Sequence, residues 1–125
     1  MEILTVSNDK ALLADLHGAL RSLFPTAYIA QETDPLMAGK YAFQNDVDML
    51  LADVDMKRMD GIQLVHFVRQ ERPHVQAYLM GAERVLCGLP LTVPDDVLGW
   101  IICPFTAASL AAVLCKEADT EDHRL

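Results

Sequence analysis

The residues best suited to chemistry in this chain follow an apolar run near its middle. Residues 47–52 are mostly apolar, and Asp53 is the carboxylate at the end of the run. An acidic, methionine-containing loop with Asp55 comes next, and Gly61 then opens a helical pattern. Carboxylate oxygens are the ligands that a hard cation such as Mg²⁺ prefers. The segment therefore marks Asp53 as the centre of a candidate site.

The elements that must position this site alternate along the chain. Apolar segments at residues 3–6, 27–30, 49–52, 77–80 and 100–102 read as strands. Helical patterns cover residues 10–23, 35–44, 61–72 and 107–116, with Asp9, Asp34 and Thr106 as capping residues. The alternation predicts an α/β fold with a parallel sheet and helices on both faces. At this size the flavodoxin-like (βα)5 strand order 2-1-3-4-5 is expected.

The region between the fourth and fifth strands departs from this regular pattern. A proline in a helix interior costs about 3 kcal/mol, because it lacks the amide donor and clashes with the preceding turn. We therefore expect an irregular fourth helix, with a short turn at residues 82–87, a loop at 89–94 and a second brief turn at 95–96. The breaking residues are Gly88, Pro90, Pro94 and Gly99.

In such sheets a ligand binds beyond the carboxyl ends of the strands, at the point where the strand order reverses. The residues that directly follow the first, third, fourth and fifth strands are therefore the candidate site residues. They are Ser7, Asn8, Asp9, Asp53, Asp55, Gly81, Ala82, Cys103 and Pro104.

The segment from Asp53 to Gly61 closely resembles the phosphoacceptor segment of response-regulator receiver domains. Its Met-Asp-Gly ending and the later Pro104-Phe105 fit that family, as do the gaps of 28 (81 − 53) and 22 (103 − 81) residues. The resemblance covers roughly residues 2–116. It implies that Asp53 is the phosphoacceptor, that the backbone carbonyl of Asp55 would meet a metal, and that Trp100 holds the aromatic switch position.

Several positions depart from the family pattern. The usual acidic pair corresponds to Ser7 and Asn8, although Asp9 could reach the site. The hydroxyl position corresponds to Gly81, and the lysine position corresponds to Cys103. The resemblance thus implies at most a weak Mg²⁺ site, formed by Asp53, Asp55 and Asp9, and no other cofactor.

These departures predict a degenerate receiver, or pseudo-receiver. It would be a signalling and protein-interaction module with impaired or absent phosphorylation of Asp53, and not an enzyme. The alternative is a conventional receiver, phosphorylated at Asp53 by a histidine kinase and controlling a DNA-binding output domain. A third reading, a flavodoxin-like enzyme or nucleotide binder, lacks a glycine-rich phosphate loop and a nucleophile paired with a base.

Composition limits the partners and the compartment. The formal charge of −8 and ten scattered basic residues argue against direct nucleic-acid binding. No apolar run approaches the roughly 20 residues that span a bilayer. The three cysteines, Cys87, Cys103 and Cys115, read as reduced thiols in a cytoplasmic protein. The expected partners are proteins, namely a histidine kinase or an output domain.

The chain reads as one receiver domain at residues 1–118 and a polar tail or linker at 119–125. Two segments, Phe24-Pro25-Thr26-Ala27 and Thr33-Asp34-Pro35-Leu36, are weakly similar to the corresponding parts of receivers that precede a LytTR-type DNA-binding domain. The last helix carries small residues that permit close approach of another helix, Ala107, Ala108, Ala111 and Ala112. A homodimer through the fourth-helix region, the fifth strand and the last helix is one expectation, and plain packing on the sheet is the other.

Overall fold

Five parallel strands form one sheet at the centre of the molecule. The computed structural model describes residues 1–84 and 97–115. The strands are β1 (Glu2–Val6), β2 (Tyr28–Glu32), β3 (Met49–Asp53), β4 (Gln76–Ala82) and β5 (Val97–Cys103). Their order is β2-β1-β3-β4-β5, and every neighbouring pair is parallel. The predicted flavodoxin-like order is confirmed.

Four helices accompany the sheet in the described residues, two on each face. They are α1 (Lys10–Leu23), α2 (Pro35–Gln44), α3 (Gly61–Glu71) and α4 (Ala107–Leu114). Helices α2 and α3 share one apolar cluster with alternate strand residues such as Leu50 and Ala52. Helices α1 and α4 share a second cluster with the intervening residues, such as Met49 and Leu51. Strand β3 is therefore buried on both faces, as its unbroken apolar sequence predicts.

Side-chain caps set the point at which each helix begins. Asp9 accepts hydrogen bonds from the amides of Ala11 and Leu12, at 3.0 and 3.3 Å. Asp34 caps α2 in the residue before a first-turn proline, and Thr106 caps α4. All three predicted caps are confirmed. A fourth cap, Asp60, forms a reciprocal capping box with Gln63 at the start of α3.

The structure corrects the prediction at the end of β4. Ala82 was expected to begin a short turn, but it is the last residue of the strand and pairs with Cys103 on β5. The paired edge extends β4 because each further residue gains ladder hydrogen bonds from β5. Glu83 and Arg84 are helical, as the predicted turn requires, whereas Gly99 lies within β5. Residues 85–96, which include Cys87, and the boundary proposed at residue 118 lie outside the described residues.

No helix within the described ranges is long and apolar enough to cross a membrane.

Candidate functional site

Asp53 lies at the carboxyl end of the central strand, between the ends of β1 and β4. It is half-buried and is the last residue of β3. Its Oδ2 accepts a hydrogen bond from the Ser7 hydroxyl at 2.8 Å. Its Oδ1 accepts a hydrogen bond from the backbone amide of Asp55 at 3.0 Å. Both carboxylate oxygens thus already have a donor from the protein.

Ser7 is the residue directly beneath this carboxylate. It is fully buried, with 0% of its surface exposed, at the position just after β1. Its Oγ accepts a hydrogen bond from the backbone amide of Asp9 at 3.0 Å while its proton is donated to Asp53. The hydroxyl is therefore used as both donor and acceptor, and it fills the space beside Asp53 with a neutral group.

Burial raises the pKa of Asp53 above its ordinary value. The hydrogen bonds from Ser7 and Asp55 act in the opposite direction, because they stabilise the charged carboxylate. The negative charges of Asp55 and Asp9 raise the pKa further. The site as built is thus short of positive charge.

The other predicted metal ligands, Asp9 and Asp55, have different surroundings from Asp53. Asp9 lines the same cavity, but its Oδ1 is engaged in capping α1. Asp55 is exposed, and its backbone amide bonds to Asp53. Within residues 1–84 and 97–115, no group of three or more His, Cys, Asp or Glu side chains could hold a metal ion. Mg²⁺ keeps several waters and takes one or two protein carboxylates, so a magnesium site at Asp53 and Asp9 stays a prediction.

A cavity of about 330 Å³ opens above Asp53. It brings together most of the residues predicted from the strand ends, and Ser7 lies beneath it. Arg84 also lines it and is the one cation among the described lining residues. Sequence reasoning missed Arg84. Its position two residues after the end of β4 could have identified it, because residues that follow the strands line the cavity. The lining residues are Asn8, Asp9, Leu12, Asp53, Asp55, Gly81, Ala82, Arg84 and Cys103.

Cys103 occupies the end of β5, where it pairs with Ala82. Burial raises the pKa of its thiol, the charge of Asp53 raises it further, and a backbone hydrogen bond with Gly81 opposes both effects. A thiol held in this protonated form is a poor nucleophile, because the thiolate is the reactive species. Cys103 is therefore not an activated cysteine.

Asn8 links two loops at the rim of the cavity. Its Nδ2 donates to the carbonyl of Thr33 at 2.7 Å, and its Oδ1 accepts from the amide of Lys57 at 2.7 Å. A single side chain thereby joins the loop after β2 to the loop after β3. In the sequence Asn8 appears only as a missing acid, whereas in the structure it has a bridging role of its own.

Gly61 lies against the backbone of Asp53. A Cβ at this position would be 2.5 Å from the carbonyl oxygen of Asp53 and 2.9 Å from its carbonyl carbon. No side chain fits at that distance, so glycine is required where α3 begins. The loop between them contains Arg58 with a positive φ of 74°, in the region that favours glycine.

Trp100 lies on β5, outside the residues that line the cavity. Its side chain is half-buried and packs against the cluster shared by α2 and α3. A packing role is therefore evident, and its role as a switch stays a prediction.

Solved structures with the same architecture include receiver domains. The receiver domain of AraT, a response regulator from Geobacillus stearothermophilus, matches with a TM-score of 0.83 at 18% identity, covering 99% of this chain and 98% of that one. This chain has the receiver fold. A second match is the receiver domain of a sensor histidine kinase from Pseudomonas aeruginosa, with a TM-score of 0.78 at 21% identity, covering 92% of this chain and 94% of that one. That structure has a magnesium ion coordinated in its active site cleft.

Sequence comparison gives a shorter match. No family model matches the chain. Stress response regulator protein 1 from Lodderomyces elongisporus is 29% identical over 70 residues. The matched part is 56% of this chain and 19% of that protein, so this chain corresponds to a small part of its relative.

Three of the positions at which the family resemblance implies a departure, Asn8, Gly81 and Cys103, line the cavity above Asp53. The departure at Ser7 bonds directly to Asp53.

Proposed function

We propose that this chain is a receiver domain of a two-component response regulator in which phosphorylation of Asp53 is impaired or absent. It acts in the cytoplasm as a signalling and protein-interaction module and is not an enzyme. The observation that carries the proposal is the hydrogen bond of 2.8 Å from buried Ser7 to Asp53. A neutral donor there replaces the acid that the family resemblance places at that position.

The physical consequence concerns the charge that develops during phosphoryl transfer. In that reaction, metal ions and fixed cations stabilise the transferring group. Here Gly81 has no hydroxyl and Cys103 has no cationic group to offer. Each lost charge-assisted contact is worth roughly 1.5–3 kcal/mol. Arg84 lines the cavity but is exposed, so it recovers at most part of this lost stabilisation.

The partners follow from the same proposal. An acidic module with a charge of −8 is suited to proteins and not to nucleic acid. A histidine kinase or an output domain is the partner class, and any DNA contact belongs to another domain or chain. A homodimer through the fourth-helix region, β5 and α4 is also part of this proposal.

A conventional receiver is the second candidate. Asp53 keeps its place at the end of β3, and Asp9 lines the same cavity. The Pseudomonas neighbour, with magnesium in its cleft, also favours this alternative. A Mg²⁺ titration followed by NMR separates the two candidates. Millimolar-range binding that disappears in Asp53→Asn would favour the conventional receiver.

The direct test is incubation of the chain with acetyl phosphate and Mg²⁺, followed by intact-mass spectrometry. The proposal predicts no stoichiometric addition over minutes, with Asp53→Asn as the control for addition at other residues. Stoichiometric modification that is lost in Asp53→Asn would contradict the proposal.

A further inference from the structure

An apolar groove lies between α2 and α3, away from the Asp53 cavity. Its volume is about 460 Å³, and its lining includes Leu36, Gly39, Lys40, Phe43, Met59 and Phe67. Leu36 is 51% exposed and Phe67 is 45% exposed. Large apolar side chains grouped at a concave surface are typical of interaction sites.

The floor of the groove is held in place by the surrounding packing. The rings of Phe43 and Phe67 lie with centroids 5.1 Å apart. Gly39 allows this arrangement, because a Cβ there would be 3.3 Å from the Phe67 ring. Arg72 donates a hydrogen bond to the carbonyl of Phe43 at 3.0 Å and covers its ring. A groove fixed in this way loses little conformational freedom when a partner binds.

The charge at the groove differs from that of the whole chain. The chain carries −8 overall, yet the described lining residues include no carboxylate and one lysine, Lys40. Lys40 is exposed and has no ion-pair partner among residues 1–84 and 97–115. The nearby cation Arg58 is already paired with Asp34 at 3.4 Å. An acidic ligand therefore complements the groove.

We infer that the groove binds an amphipathic helix of a partner protein that has an acidic polar face. Its apolar side chains would enter between Leu36 and Phe67, and a carboxylate would pair with Lys40. A helix laid in an apolar groove is an established mode of recognition. This inference rests on the proposed function, since it names the partner class of the interaction module. It does not use the Asp53 cavity.

The probes are two fluorescein-labelled helical peptides with identical leucines at positions i, i+3 and i+7. One carries glutamate on its polar face, and the other carries lysine. Fluorescence polarisation with the full chain should show binding of the glutamate peptide at least about fivefold tighter. Amide NMR shifts should map to α2 and α3. Equal affinities, or shifts centred elsewhere, would overturn the inference.

Neighbouring residues on α2 provide a matched pair of variants. Leu36 lines the groove at 51% exposure, whereas Met37 is 49% exposed and does not line it. Leu36→Ser should weaken the glutamate peptide about tenfold and Met37→Ser less than about twofold. Lys40→Gln should remove the preference for glutamate. Equal effects of the two serine variants would contradict the assignment.

The outcomes also separate this inference from the proposed function. Stoichiometric modification of Asp53 with peptide binding intact overturns the proposed function alone. Absence of peptide binding with Asp53 unmodified overturns the groove assignment alone. Concentration-dependent shifts of the groove residues without peptide would identify a second copy as the occupant and overturn the partner helix.

Discussion

At the scale of single residues, the site is defined by what surrounds Asp53. Ser7 and the Asp55 amide each donate to one of its oxygens, at 2.8 and 3.0 Å. Sequence reasoning could place Asp53 at the end of the central strand, because that follows from the order of the elements. The departures from the family pattern come from the resemblance and stay predictions. Sequence reasoning could not show that Ser7 bonds to Asp53, because that bond depends on how β1 and β3 are placed side by side.

The raised pKa of Asp53 predicts a pH-dependent gain in stability for Asp53→Asn. Folding favours the protonated carboxyl, so this contribution is complete below the ordinary pKa of 3.8 and is lost as pH rises through the folded value. Relative to wild type, the variant should thus gain stability as pH rises above 3.8, by no more than about 1 kcal/mol because the group is half-exposed. Urea unfolding at several pH values measures this.

The control for this prediction is Asp55→Asn, which removes an exposed carboxylate from the same loop. A gain for Asp53→Asn that is independent of pH, or a loss that grows with pH, would contradict burial as the dominant cause.

Replacing Ser7 with the missing acid should make the fold responsive to magnesium. Ser7→Asp places a second buried carboxylate against Asp53, and like charges at this distance destabilise the folded state by roughly 1–3 kcal/mol. Mg²⁺ should recover that loss in the variant and have little effect on wild type. Thermal unfolding with and without Mg²⁺, with Ca²⁺ as a second cation, measures the recovery. An equal effect of Mg²⁺ on both proteins would show that Ser7 is not what limits the site.

At the scale of elements, the site depends on how β3 passes into α3. The loop is tied to the loop after β2 by Asn8, and Asp60 caps the helix. Periodicity and capping rules predicted the helix starts, because those signals are local in sequence. The end of β4 at Ala82 and the bridge through Asn8 were missed, because both depend on partners far along the chain.

Two glycine-to-alanine variants test whether the approach of α3 to Asp53 is as close as described. Gly61→Ala should lower the free energy of unfolding by about 1–3 kcal/mol, because the methyl group would meet the Asp53 carbonyl. Gly18→Ala on α1 meets nothing within 4 Å. That control should stabilise the protein by about 0.5–1 kcal/mol through helix propensity. Chemical denaturation measures both, and a neutral Gly61→Ala would contradict the close approach.

At the scale of the whole molecule, one sheet with two apolar faces supports two separate surfaces. The Asp53 cavity lies at the carboxyl ends of the strands. The apolar groove lies between α2 and α3. Strand alternation predicted the fold and the location of the cavity. The groove was not predicted, because it depends on how Phe43 and Phe67 meet across two helices.

We propose that Asp53 has kept its place at the end of β3 but has lost most of its phosphotransfer chemistry. Beryllofluoride with Mg²⁺ tests it most directly, because the adduct mimics an aspartyl phosphate. Amide NMR spectra of the full chain, with and without the adduct reagents, would be compared at residues around Asp53 and along β5. We predict no saturable new set of resonances at Asp53 and no change reaching Trp100. Saturable, magnesium-dependent shifts that extend from Asp53 to β5 would contradict the claim.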